Sequence, residues 1–194
     1  QTASTQLRWR QLSFSGSNFD HWAIDNIELQ SESLVTNLTG AAADLNTAYA
    51  SSGISGLNNE AVTLSDTSLA VSVLNTLDGK TTVAVNASNI TTLSGTAADL
   101  ITAYTANGNS SITGLGNEAI NVNSGTASTS QANDLAAATS GIVTATISDG
   151  DMATLAGLTE TGNAYTITIT DNSVAAAALN TLDGKTTVAV NASN

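Results

Sequence analysis

The chain contains no cysteine and no proline. Without cysteine there is no disulfide scaffold and no thiol nucleophile. That absence leaves the compartment open, because a secreted chain can do without disulfides. Basic residues are nearly missing as well: four Lys and Arg stand against sixteen Asp and Glu, a formal net charge of -12. A field of that sign repels nucleic acid and anionic membranes and suits divalent cations. No apolar run approaches the roughly 18 residues of a membrane-spanning helix. No signal peptide opens the chain. Gln1 leads straight into strand-like sequence, so the chain reads as a fragment of something larger.

What is present divides near residue 30. Trp9, Phe14, Phe19 and Trp22 lie before that point, as do Arg8 and Arg10; beyond it the aromatics are Tyr49, Tyr104 and Tyr165 and the basic residues Lys80 and Lys185. Two kinds of structure are joined here, with residues 31–39 reading as a linker.

The second part repeats itself. Residues 74–89 read LNTLDGKTTVAVNASN, and residues 179–194 are the same sixteen letters at an offset of 105. A second echo, at an offset of 55, pairs LTGAAADLNTAY at 38–49 with LSGTAADLITAY at 93–104, followed by GLNNEAVTL and GLGNEAINV. Tandem duplication explains such copies. A finer period cuts the chain at about 40–66, 67–95, 96–125, 126–149, 150–171 and 172–194. Each unit carries an Ala/Leu-rich segment at helical spacing, a glycine, and a short alternating strand. The glycines are Gly53, Gly79, Gly108, Gly141, Gly162 and Gly184, each expected in the left-handed conformation that ends a helix. The strands read AVTLS, TVAVN, AINVN, VTATIS, YTITIT and TVAVN. Inward residues are predicted at Val62, Leu64, Val83, Val85, Ile120, Val122, Ala145, Ile147, Ile167, Ile169, Val188 and Val190. Leu45, Tyr49, Val73, Leu77, Leu100, Tyr104, Leu135, Leu155, Leu158, Leu179 and Leu182 are predicted to cover them from the helices.

The pattern predicts an α/β repeat solenoid of short helix and parallel-strand coils. No single coil can bury its own apolar face, so neighbours must cover one another. Strands stack about 4.8 Å apart and helices about 8–10 Å, so such an array must curve or stagger its helices. Its partners are neighbouring repeats or copies of itself.

Residues 7–29, LRWRQLSFSGSNFDHWAIDNIEL, resemble the closing strands of the jelly-roll β-sandwiches in reelin-type and MAM-type extracellular modules. The resemblance implies that residues 1–30 end such a sandwich. It also implies the calcium or surface-glycan binding common in these modules, with ligand residues mostly on strands upstream. The phrases ALNTLDGKTTVAVNAS and TTLSGTAADL are similar to repeats of the giant cell-surface proteins of marine cyanobacteria, the swimming-associated surface protein of Synechococcus among them. That likeness implies an extracellular, cell-surface location, calcium-rich surroundings and a structural role as spacer, scaffold or filament. An adhesin, a calcium- or glycan-binding module and a virion fibre component are the alternatives; an enzyme is not expected.

Four aspartates recur where strands end: Asp66, Asp149, Asp151 and Asp171. Stacked carboxylates suit Ca2+, which takes six to eight oxygens. Asp at a helix start equally serves as a cap, and the same corners hold Ser94, Thr96, Ser124 and Thr126. Thr96 with Asp99 has the spacing of a capping box. Gly79-Lys80-Thr81 and Gly184-Lys185-Thr186 have the end of a phosphate loop, but Leu74 and Leu179 stand where its first glycine belongs, so a helix-ending turn is the expectation. His21, beside Asp20, has no nucleophile motif to serve. Thr144, Thr146, Thr166, Thr168 and Thr170 form an outward patch, while Asn121, Asn123 and Asn86 interrupt the array an ice-binding face would need.

Overall fold

The computed structural model describes residues 35–193. The strand pair expected within residues 1–30, and His21 with it, lie outside them. The described chain is an α/β fold with parallel strands in two sheets and six helices. The strands are β1 (Asn37–Gly40), β2 (Ala61–Leu64), β3 (Ser68–Ala70), β4 (Val85–Asn86), β5 (Thr92–Gly95), β6 (Ile112–Thr113), β7 (Ala119–Val122), β8 (Val143–Thr146) and β9 (Ala164–Thr166). The helices are α1 (Ala42–Ala50), α2 (Val71–Asp78), α3 (Ala97–Gly108), α4 (Thr129–Ala138), α5 (Met152–Leu155) and α6 (Ala176–Asp183). One sheet has the order β1-β2-β4-β6, the other β3-β5-β7-β8-β9, and neither closes on itself.

Register follows the repeat length. Leu69 pairs with Leu93, Leu93 with Ile120, and Ile120 with Val143, so apolar residues stack on apolar residues up the sheet. Alternation then sorts the faces. Val143, Ala145 and Ile147, and Tyr165, Ile167 and Ile169, are buried, while Thr144, Thr146, Thr166, Thr168 and Thr170 are exposed. Helix neighbours pack in chain order from α1 to α4. The spacing mismatch between strands and helices shows as clefts between successive helices. One of about 250 Å³ separates α5 from α6, lined by Met152, Leu155, Ala178 and Leu182. Asparagines bridge such gaps: the Asn75 amide donates to the Asp99 carbonyl at 3.0 Å and the Asn133 amide to the Gly157 carbonyl at 2.8 Å.

The sixteen repeated letters make the same bonds twice. The Thr81 hydroxyl donates to the Glu60 carbonyl at 2.8 Å, and the Thr186 hydroxyl to the Tyr165 carbonyl at 2.7 Å. The Thr82 amide donates to Asn58 O, and that of Thr187 to Asn163 O, each at 2.8 Å. The pairing of Thr63 with Asn86 recurs as Thr168 with Asn191. Every one of these relations is shifted by the same 105 residues.

Several expectations are corrected. The sequence assigns one strand per unit, but β3, β5 and β6 are additional strands, and β1 takes in residues 37–39 of the expected linker. Their short stretches, such as TLSG, carry too little apolar alternation to signal a strand; pairing to neighbours makes them. Val83 and Val188 are exposed, 40% and 38%, and Ala87 and Ile90 fill the core instead. The Thr81 hydroxyl turns the chain before Val83, accepting from its amide at 3.2 Å, so the inward alternation starts only at Val85. Of the six glycines expected to be left-handed, Gly162 is (φ +83°), whereas Gly79 and Gly184 end their helices right-handed at φ -72° and -67°. Gly141 is glycine for lack of space rather than for φ: a Cβ there would run into the Glu118 carbonyl.

Candidate functional site

The corner aspartates are positioned by strand register carried past the strand ends. Gly40 pairs with Leu64, so two residues on, Ala42 at the start of α1 meets Asp66. The Ala42 amide donates to Asp66 Oδ2 at 2.8 Å. Ala127 bridges Ile147, and two residues further the Thr129 amide donates to Asp149 Oδ2 at 2.6 Å. The Met152 amide donates to Asp171 Oδ2 at 2.6 Å. Each of these carboxylates therefore caps the helix that precedes it in the chain. Asp151 instead caps its own helix, accepting from the Thr154 amide at 2.9 Å, and this bond holds its carboxyl below the usual range. Thr96 accepts from the Asp99 amide at 3.1 Å as its spacing implies, and Ser128 with Gln131 forms a complete capping box that the sequence reading passed over. Among the described residues no three His, Asp or Glu side chains form a group able to hold a metal ion.

These bonds give the carboxylates a role that needs no cation. Asp149→Ala is expected to cost about 1 kcal/mol, the usual worth of a cap. Thermal unfolding with and without a millimolar chelator checks this. A melting temperature of the unaltered protein that falls on chelation would return calcium to these corners.

The most enclosed polar groups are elsewhere. Glu60 and Glu118 are completely buried. Glu118 follows a Leu115-Gly116-Asn117 turn that folds back on it: Gly116 N–H donates to Oε2 at 2.9 Å and Asn117 N–H at 3.1 Å, and Tyr104 from α3 donates its hydroxyl to Oε1. Glu60 is built alike, accepting from Asn58 N–H at 3.0 Å and from the Tyr49 hydroxyl at 2.9 Å. The main-chain carbonyls of both accept from threonines 21 residues further on, Thr81 and Thr139. Burial alone would raise the Glu60 pKa, but the backbone donors and Tyr49 outweigh it and hold the carboxyl below its ordinary value. Burial, then the bond to Glu60, pushes the Tyr49 hydroxyl up to about 12. Burial, then Glu118, raises Tyr104 as well. The Tyr49–Glu60 pair is thus a neutral phenol donating to an ionised carboxylate, and Tyr104 donates to Glu118 in the same arrangement. Each pair clamps a helix to the turn before the next strand.

At the third equivalent place Tyr165 stands instead of a glutamate. Its hydroxyl donates to Ala132 O at 3.3 Å, and burial raises its pKa to about 12. The helix before it in the chain, α5, has only four residues and brings no tyrosine.

The signs fix an alkaline limit. A phenol whose pKa is raised by folding contributes stability that is whole below the unfolded value near 10 and lost as pH rises through the folded value. Absorbance at 295 nm should show no tyrosinate until cooperative unfolding between about pH 10 and 12. Ordinary titration near 10 with intact circular dichroism would contradict these clamps.

The two Gly-Lys-Thr turns make structural contacts. Thr81 and Thr186 bond backbone carbonyls, and Lys185 Nζ donates to Thr159 O at 2.9 Å. No helix among the described residues is long and apolar enough to cross a membrane. Comparison with protein-family models, with curated proteins and with solved structures found no match.

Proposed function

We propose that the chain is a structural repeat segment of a large secreted cell-surface or filament protein, an elongated right-handed solenoid that works as a spacer or scaffold. The observation that carries this reading is the recurrence, 105 residues apart, of one set of inter-coil bonds on one sixteen-residue phrase. Such bonds let copies be added without new interface chemistry. The buried polar groups support it too, since Glu60, Glu118 and the corner aspartates all tie one coil to another or close a turn. Function then scales with length, as expected of a spacer.

The test is a length series carrying one, two and three copies of residues 90–194. Three helices lie between α2 and α6, so a copy adds four rungs and should lengthen the particle by roughly 20 Å, at about 4.8 Å per strand rung. Small-angle scattering should give a maximum dimension that grows linearly at constant cross-section. Growth in all three dimensions would end the spacer reading.

A further inference from the structure

The clefts between successive helices are not alike. The one between α1 and α2, about 350 Å³, is lined by Ala43, Asn46, Ser72, Val73 and Thr76, and the Asn46 amide bridges its walls to the Val73 carbonyl at 3.2 Å. The one between α3 and α4, about 300 Å³, is lined by Ile101, Tyr104, Thr105, Asp134 and Leu135.

The difference traces to one position. Asn46, Asn75 and Asn133 are each the fifth residue of their helix, and each donates to a carbonyl further along the chain, those of Val73, Asp99 and Gly157. Ile101 holds that place in α3 and has no amide to give. Leu135 is fully buried at the base of the cleft and Ile101 half-buried in its wall. The Tyr104 hydroxyl is taken by Glu118, so its ring is what Tyr104 offers here. One charge stands among these apolar groups: the exposed Asp134, which among the described residues makes no hydrogen bond or ion pair. Neither wall is a chain end. α3 packs between α2 and α4, and Asn133 ties α4 to the residues after α5.

We infer that this cleft receives a lysine side chain from a partner protein. Its methylenes lie against Ile101, Tyr104 and Leu135, and its ammonium meets the Asp134 carboxylate. Charge selects the kind of ligand, because a chain of net charge -12 draws cations and repels anions. Shape selects its source. Sites for free small molecules enclose most of the ligand, whereas this cleft is open along one side and at the small end of their range. It suits a side chain that arrives attached to a larger body. Such a cleft gives the spacer a lateral attachment point, and the dependence of its function on length stands or falls separately.

The probe is Nα-acetyl-lysinamide, titrated at low salt into the isotope-labelled full chain. Nuclear magnetic resonance signals of Ile101, Tyr104 and Leu135 should move together and saturate in the millimolar range. Nα-acetyl-norleucinamide, with the same stem and no charge, should bind at least about threefold more weakly, the worth of an exposed ion pair. Asp134→Asn should weaken the lysine probe as much, and its exposed side chain leaves the fold alone. Ile101→Asn is the second variant. It supplies the missing amide, placed for the Gln131 carbonyl as Asn75 is for Asp99, and should abolish binding with circular dichroism unchanged. Shifts spread over the acidic surface and equal in Asp134→Asn would mean general attraction of cations and overturn the inference. Norleucinamide binding as tightly as lysinamide would overturn it too.

Discussion

Glu118→Ala is expected to lower the unfolding free energy by roughly 3–5 kcal/mol, among the largest losses any single change here should produce. The side chain is fully buried and collects the Gly116 and Asn117 amides and the Tyr104 hydroxyl. Removing it takes the shared acceptor from three donors and leaves a void where a fully buried side chain stood. A donor left unpaired where it is buried costs about 1–3 kcal/mol; Gly116 and Tyr104 are half-buried and Asn117 is exposed, so the loss comes from the two half-buried donors together with the void. Tyr104→Phe removes one donor and leaves the carboxylate its backbone partners, so it should cost only about 1–2 kcal/mol. Urea unfolding of the two variants checks the ordering. Equal losses would mean that the amides, and not only the phenol, find other partners.

Gly141→Ala is expected to destabilise by at least about 3 kcal/mol, because nothing near the new methyl can give way. The added carbon would run into the Glu118 carbonyl and lie 2.8 Å from the Ala119 nitrogen. Both belong to the backbone that leads into β7, so relief requires parting β7 from the segment that leads into β8. Gly108 is the internal control, since a Cβ there meets nothing within 4 Å. Gly108→Ala should be neutral within about 0.5 kcal/mol. Thermal unfolding of the two alanine variants separates them, and a Gly141→Ala protein as stable as the parent would show the junction to be loose.

Much of this architecture was legible because repetition amplifies weak signals. Alternation in VTATIS and YTITIT predicted the burial of Ala145, Ile147, Ile167 and Ile169, though not that of Val143 and Tyr165, and the Ala/Leu segments predicted the helices. The parallel pairing followed from units that each carry one strand and one helix. What failed had no local signature. β3 is three residues long and holds its place by pairing with β5. Val83 looks inward on alternation alone, but the Thr81 turn precedes it. The cap of α1 comes from Asp66, 24 residues away, so no local capping motif could reveal it. The Glu118 clamp left a faint mark: the echo of GLNNEAVTL in GLGNEAINV sets a glutamate after each tyrosine helix. Only the fold says that the two touch.

Identical letters in unequal surroundings allow the most direct measurement. Leu74 and Leu179 occupy the same place in the repeated phrase, one fully buried beneath α3 and the other half-exposed. Each should be changed to alanine and the protein unfolded in urea at low concentration. If adjoining coils supply the cover that no coil owns, Leu74→Ala will cost about 3 kcal/mol and Leu179→Ala no more than about 1. Equal costs would mean that each coil closes its own core, and would contradict the account.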